Sequence, residues 1–382
     1  MIHEAKKKMK ELIDQASING LNKQEVDRYN NLIDNIEKTV YPEWKAKEKQ
    51  HTVPQTLLEG FTEDNEGGLF LYDLSAKNFL SNNKIPLSGM LKEENIYVFK
   101  DVEWKDNFFF EKFTFSMYLE WGLKEIIKKI KDHSKLIETD WQILSWFIAF
   151  QFTRTKKFMK GLWESTGRMT KIDFQQRYKT YEQFKKLMDR REKETWEKIE
   201  WDPKDLYDYM MKWEYDVTMT KESSMVESMK LANDLWPLFL NAHYEVLETK
   251  KSNFFICSDN PFFIIPPKDW PRNRWLWLIE PFLAEKIIPI NKRQCLRIII
   301  FPESKKHWIS ISYKTINQKM TNRLNQYICK NAERFIVSKD MSYLKEILAD
   351  IDHKKLAQDK SRENVIFNEG FWLIMDHSFY PY

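Results

Sequence analysis

Glycine is the residue this chain largely does without. Nine of its 382 residues are glycine, about a third of the roughly 7% usual in globular proteins. No two of them form a loop that could cradle a phosphate. A dinucleotide-binding turn and a P-loop both need glycine where backbone approaches a phosphate closely, so Rossmann and P-loop architectures are excluded at the outset. What remains must be built from elements that tolerate side chains almost everywhere. With 42% hydrophobic and 31% charged residues, the chain has ample material for a core and is neither an integral membrane protein nor a disordered one. Its length exceeds the usual single packing unit, so more than one is expected.

Charge and cysteine usage narrow the setting. The 61 Lys and Arg residues against 57 Asp and Glu leave a net charge of +4, which permits a nucleic-acid partner without requiring one. The three cysteines, Cys257, Cys295 and Cys329, are far apart, odd in number and set in apolar stretches. Neither a disulfide framework nor a zinc knuckle follows from that pattern. No run of 18 apolar residues occurs, and Met1 to Lys10 is lysine-rich without an apolar segment. A cytoplasmic protein without membrane attachment is therefore expected.

Along the chain, residues 1–48 place Met9, Leu12, Ile13 and Ala16, then Val26, Tyr29, Leu32, Ile33 and Ile36, at helical spacing around Asn19-Gly20. That pattern predicts an N-terminal helical hairpin, either an arm for a protein partner or an accessory packed on the body. From His51 the texture changes. Pro54 suits a first helical position and Gly60 a C-cap, so a short helix is expected there, and Glu66-Gly67-Gly68 turns into a strand at Leu69 to Asp73. Helical periodicity then dominates residues 100–250, including Phe109 to Lys131 and a helix from Thr139-Asp140 to about Leu162. The charged stretch Arg177 to Lys198 reads as a solvated helix face. Residues 253–315 are β-rich, with apolar runs at Phe254–Cys257, Phe262–Ile265, Trp275–Ile279, Arg297–Phe301 and His307–Ser312. A helix over Ile316 to Ala332 and a strand at Phe335–Ser338 follow, and 341–382 reads as a charged helix and a strand-like tail. The expected fold class is α+β: a helical layer packed on a mixed or antiparallel sheet, with the strand near residue 70 joining that sheet and a core over 49–340.

Three polar features stand out against apolar surroundings. In the helix from Asp140, the residues Leu144, Phe147, Ile148, Gln151, Arg154 and Thr155 share one face. Gln151 and Arg154 thus project from an apolar stripe, where a guanidinium needs an ion-pair partner or a bound anion. Glu111 or Glu120 could supply the former; a carboxylate or phosphate, the latter. The second feature is Cys257-Ser258-Asp259-Asn260-Pro261, small polar residues ending an apolar strand, which serve equally as a turn or as the lip of a cleft. The third is His51 with Gln55 on either side of Pro54. A basic and aromatic loop, Lys268 to Trp275 with Arg272 and Arg274 beside Trp270, Trp275 and nearby Trp277, is the strongest local candidate for nucleic-acid contact.

These segments also carry a likeness. The succession His51-Thr52-Val53-Pro54-Gln55-Thr56-Leu57-Leu58, Phe150-Gln151-Phe152-Thr153-Arg154-Thr155 and Ile256-Cys257-Ser258-Asp259-Asn260-Pro261 resembles the family called domain of unknown function 4238. The likeness continues through Ile288-Pro289-Ile290, the helix near Asn322 to Tyr327 and Ala332-Glu333-Arg334-Phe335-Ile336-Val337-Ser338, and covers about residues 51–338. Ile279-Glu280-Pro281-Phe282-Leu283-Ala284 departs from the Pro-Leu-x-Pro element that the family tends to show. The resemblance implies a shared site and no particular reaction.

It does make convergence of the three polar segments in one cleft the economical expectation. His51 would act as general acid or base, Arg154 would hold an anion, and Asp259 would orient His51 or bind a divalent metal such as Mg²⁺. Gln55, Gln151, Ser258, Asn260, Arg272 and Arg274 would bind substrate. A phosphodiester- or nucleotide-acting hydrolase is the expected function, a nuclease-like effector of a bacterial defence or toxin system with nucleic acid or a nucleotide as partner. The alternative is a non-catalytic sensor or binding module whose buried polar cluster holds a small anion. Sharper signatures fail: His51-Thr52-Val53-Pro54-Gln55 lacks the rest of an HNH motif, and Pro302 makes Glu303-Ser304-Lys305 a turn rather than a nuclease core. No Gly-x-Ser-x-Gly or His-Glu-x-x-His occurs.

Overall fold

The structure, a computed structural model, describes residues 49–62, 67–94, 99–100, 106–107, 121–195, 201–212, 220–250, 252–265, 284–300 and 310–349, with Tyr215 and Val217. The hairpin expected over 1–48, Glu111, Glu120, the strand expected at Trp275–Ile279, the loop bearing Arg272 and Arg274, and the tail from residue 350 lie outside the described residues.

The chain enters as β1 (Lys49–His51), α1 (Gln55–Glu59) and β2 (Gly68–Asp73), then β3 (Lys92–Glu94). Helices follow: α2 (Trp121–Lys131), α3 (Glu138–Thr153), α4 (Lys156–Arg177), α5 (Tyr181–Thr195), α6 (Pro203–Met211) and α7 (Lys221–Leu240). The β-rich part comprises β4 (Ala242–Thr249), β5 (Cys257–Ser258), β6 (Phe263–Ile265), β7 (Glu285–Pro289), β8 (Gln294–Ile300) and β9 (Ser310–Ile316), before α8 (Gln318–Asn331), β10 (Phe335–Ser338) and α9 (Met341–Ala349). The protein is α+β, as its sequence predicts. No helix among the described residues is long and apolar enough to cross a membrane.

The larger sheet runs β6-β7-β8-β4-β9 and is antiparallel except for β9, which lies parallel to β4. Its register sets Tyr244 opposite Ile298 and Val246 opposite Leu296, a face of fully buried side chains covered by the helical layer. Trp141 of α3 packs on Tyr244 with centroids 5.3 Å apart, and the Tyr244 hydroxyl donates to the Phe239 carbonyl at 2.7 Å. Helices α3 and α7 meet through the stacked rings of Trp146 and Trp236 at 5.1 Å. On the opposite face Phe263 stacks on Tyr327 of α8.

Two expectations are corrected. The strand near residue 70 does not join this sheet: β2 pairs with β10, and β10 with β5, in a second sheet. A strand's edge does not name its partner, and the long return to residue 335 closes that pairing. Residues Ala242–Thr249, read as part of the helical stretch, form the strand β4. The alternation of Ala242, Tyr244 and Val246 with His243 and Glu245 has period two, and burial follows it. Helices α5 and α6 form a small satellite core, with Phe184, Met188 and Tyr207 buried against Phe174, Tyr178 and Tyr181.

Candidate functional site

The site is built on the end of α3. Asp140 starts that helix by accepting the Ile137 backbone N–H at 2.8 Å, and it also pairs with Lys129 at 2.7 Å. The predicted stripe is buried throughout: Leu144, Phe147, Ile148, Gln151, Arg154 and Thr155 are all 3% exposed or less. The helix does not run on to Leu162. It ends at Thr153, Arg154 occupies the C-cap, and the Thr155 hydroxyl accepts the Phe158 N–H at 3.3 Å to start α4. That break leaves Arg154 at a joint between two helices, where its Nη2 donates to Gln151 Oε1 at 2.9 Å.

His51 reaches the same place from β1. It pairs in register with Lys92 of β3, and the next residue anchors the ladder: Thr52 donates both its N–H, at 2.9 Å, and its hydroxyl, at 3.1 Å, to the Leu91 carbonyl. Leu91 is buried and holds φ at 47°, a left-handed conformation that costs a leucine about 1 kcal/mol and persists where neighbours enforce it. Burial lowers the His51 pKa to about 4; the positive charges of Lys92 and then Arg154 add to this, against an opposing hydrogen bond to the Leu87 backbone. The imidazole is therefore neutral at pH 7. Among the described residues its buried Nε2 has no hydrogen-bond partner, and neither has Nε2 of the fully buried Gln151. A buried amide or imidazole left with unused capacity costs on the order of 1–3 kcal/mol. Two such atoms beside a guanidinium are therefore a candidate ligand cradle.

The Ser-Asp-Asn-Pro segment behaves differently. Asp259 accepts three backbone N–H groups, from Glu333 at 2.9 Å, Arg334 at 2.7 Å and Phe335 at 2.9 Å. Ser258 accepts the Asn260 N–H at 3.3 Å. Asn260 and Asn331 bond reciprocally, each amide donating to the other's backbone carbonyl at 3.3 and 2.9 Å. These side chains fasten β5 to α8 and β10. The segment nonetheless touches the α3 joint, because Phe262 packs on Phe152 at 5.0 Å. Gln55, in the first turn of α1, is half-buried.

Three contributors carry no sequence signal strong enough to have singled them out. Lys92 stands by His51 from a strand of three charged residues. Asn325, fully buried, ties the approach to β5 by accepting from Ile256 N and donating to Phe254 O. Asp73, 1% exposed, receives both Nε and Nη2 of Arg334 at 2.9 and 2.8 Å. Burial would raise its pKa, but the bonds from Arg334, Ser75 and Ala76 outweigh it and hold the carboxyl well below the usual range. An Asp closing an apolar strand two residues before a Ser was the available hint.

A divalent metal does not fit the described surroundings of His51. Both charged groups acting on it are cations, and among the described residues no three His, Cys, Asp or Glu side chains gather as ligands.

Fold and site thus define an α+β protein in which a half-buried His51 stands by the buried Gln151 and Arg154 at a helical joint. The chain matches the family described as protein of unknown function, DUF4238, over residues 49–342, and it belongs to that family. No curated protein and no solved structure matches it.

Proposed function

We propose that the protein hydrolyses a phosphodiester or nucleotide at the His51–Gln151–Arg154 cluster. The observation that carries this reading is the neutral imidazole of His51, whose buried Nε2 has no hydrogen-bond partner among the described residues, set within the electrostatic reach of Arg154. A general base must be unprotonated and have a free nitrogen, and an Arg beside it supplies a planar donor fork for phosphate oxygens. Arg154 would hold the phosphoryl group, Gln151 Nε2 would donate to one of its oxygens, and His51 would take the proton of the attacking hydroxyl. Burial is the main cause that keeps His51 weakly basic, and a bound anion that offsets Lys92 and Arg154 would raise its basicity only by their smaller share. Asp259 has a positioning part here: it holds the turn that Phe262 lays against α3.

The enclosure of Gln151 and Arg154 favours one competing reading, a sensor that closes on a small anion without turning it over. The test measures turnover of RNA, DNA and nucleotides by wild type, His51→Gln and Arg154→Met, alongside thermal stabilisation by inorganic phosphate and nucleotides. Hydrolysis lost in a folded His51→Gln supports the enzyme. Ligand stabilisation lost in Arg154→Met, with no turnover by wild type, supports the sensor. A wild type that neither turns over nor is stabilised sinks both.

A further inference from the structure

We infer that Ser310 and His243 form a second reactive centre, a histidine-activated serine that takes an acyl group from a carboxylic ester, at the outer end of the larger sheet. Strand β9 closes that sheet beside β4, and its parallel register sets Ser310 opposite His243 and Ser312 opposite Glu245. Side chains two apart on a strand share a face, so the imidazole stands between two hydroxyls. His243 Nδ1 lies 2.8 Å from Ser310 Oγ, and Nε2 lies 2.9 Å from Ser312 Oγ. Both distances fall within the roughly 2.6–3.2 Å that links a nucleophile to its base, and the base to the group that orients it. Ser310 is exposed, whereas His243 and Ser312 are half-buried. The hydroxyl a substrate can reach is therefore that of Ser310, with Nδ1 as its base, while Ser312 accepts the Nε2 proton and fixes the tautomer. On the same face the half-buried Ile299 stands opposite His243 and gives an acyl chain an apolar surface.

The orienting group sets the limits of the chemistry. Ser312 is neutral where a hydrolase triad has a carboxylate, so the imidazolium formed on proton transfer is less stabilised. Such a centre acts on carbonyls whose leaving group departs readily, esters rather than amides. The Ser310 proton passes to His243 Nδ1 as the Oγ–C bond forms at the ester carbonyl. The ester C–O bond then breaks, the leaving alcohol takes that proton, and Ser310 is left acylated. Water attacks the acyl carbon, His243 takes its proton and returns it to Ser310 Oγ, and the carboxylic acid is released. Ester and water are the only reactants.

The test treats the full chain with p-nitrophenyl acetate and, separately, with a fluorophosphonate, which bonds to an activated serine with loss of fluoride; the labelled peptide is located by mass spectrometry. One label per chain at Ser310 is expected, together with release of nitrophenolate, and Ser310→Ala should lose both. His243→Gln, with His243→Asn as a second variant in case the first misfolds, should slow labelling at least about 100-fold. Ser312 is a positioning residue, so Ser312→Ala should slow labelling less and move its pH profile to lower pH, because the imidazolium loses an acceptor; Ser312→Thr should restore the profile. A folded wild type that takes no label, a label on any other residue, ester hydrolysis retained by Ser310→Ala, or labelling of Ser310 at the wild-type rate in His243→Gln would each overturn the inference.

Discussion

Replacing Asp259 separates the two roles that a carboxylate in this turn could have. In Asp259→Ala three backbone N–H groups, those of Glu333, Arg334 and Phe335, lose an acceptor now 2.7–2.9 Å away. A hydrogen bond to a charged acceptor contributes about 1.5–3 kcal/mol when shielded. Two of these three are exposed to solvent, which can replace part of the loss, so about 1 kcal/mol each is the working figure and about 3 kcal/mol the total. Beside them the Asp259 N–H still donates to the Phe335 carbonyl at 3.0 Å, and the β5–β10 pairing through Ser258 and Ile336 survives. Folding is thus retained, with a melting temperature about 5 °C lower. Asp259→Asn keeps one oxygen as acceptor and should lose about half as much. The assay is urea unfolding of the three proteins together with activity per folded molecule at 15 °C below each melting point. The reasoning is refuted if Asp259→Ala unfolds within 0.5 kcal/mol of wild type yet has no activity, because the carboxylate would then belong to the chemistry.

Other consequences follow from the same geometry. His51 titrates near 6.5 when unfolded and at about 4 in the fold, so as pH falls through this window the unfolded chain takes up a proton that the native state refuses, and stability drops. The cost is absent above pH 6.5 and complete below 4. The full shift would be about 3 kcal/mol, and solvent access to a half-buried ring reduces it to about 1.5 kcal/mol. Wild type should accordingly lose that much relative to His51→Gln between pH 7 and 4, and a pH-independent difference in their urea midpoints would contradict the burial argument. Gly60→Ala should cost about 1–3 kcal/mol by the same unfolding measurement, since a Cβ there would lie 2.8 Å from both the Ile290 carbonyl and Asn291 Cβ; unchanged stability would mean that the Asn291 turn yields freely. Asn325→Ala strips partners from Ile256 N, Phe254 O and the Tyr343 hydroxyl and should cost about 3 kcal/mol. Hydrogen exchange should rise locally at Ile256, and protection there equal to wild type would show the amide bond to be dispensable.

Helical periodicity carried the sequence a long way, and it failed where a local signal had a distant cause. The face shared by Gln151 and Arg154 was legible because six positions at helical spacing had to be buried together. The break at Arg154 was not, because Thr155 becomes a cap only once α4 departs from the line of α3. Strand β4 follows the helix containing Pro237 after a single residue, so the helical reading was carried across a boundary that the alternation of His243, Tyr244, Glu245 and Val246 marks. Pairings such as β2 with β10, or His51 with Lys92, bring together residues that no local pattern relates.

The candidate site shows why polar residues in apolar company are ambiguous in a sequence. His51, Gln151, Asp259 and Asn260 all look alike there, each a polar group ending or interrupting an apolar run. In the fold they divide by how much hydrogen-bonding capacity their neighbours consume. The Asp259 oxygens are taken by the backbone of residues 333–335, and Asn260 is locked to Asn331, so their polarity is accounted for by the architecture. His51 Nε2 and Gln151 Nε2 are left with capacity that nothing among the described residues uses. Since a fold gains nothing by burying a donor or acceptor unused, these two atoms are where a ligand has the most to offer, and the chemistry should be sought there before the Ser-Asp-Asn-Pro turn.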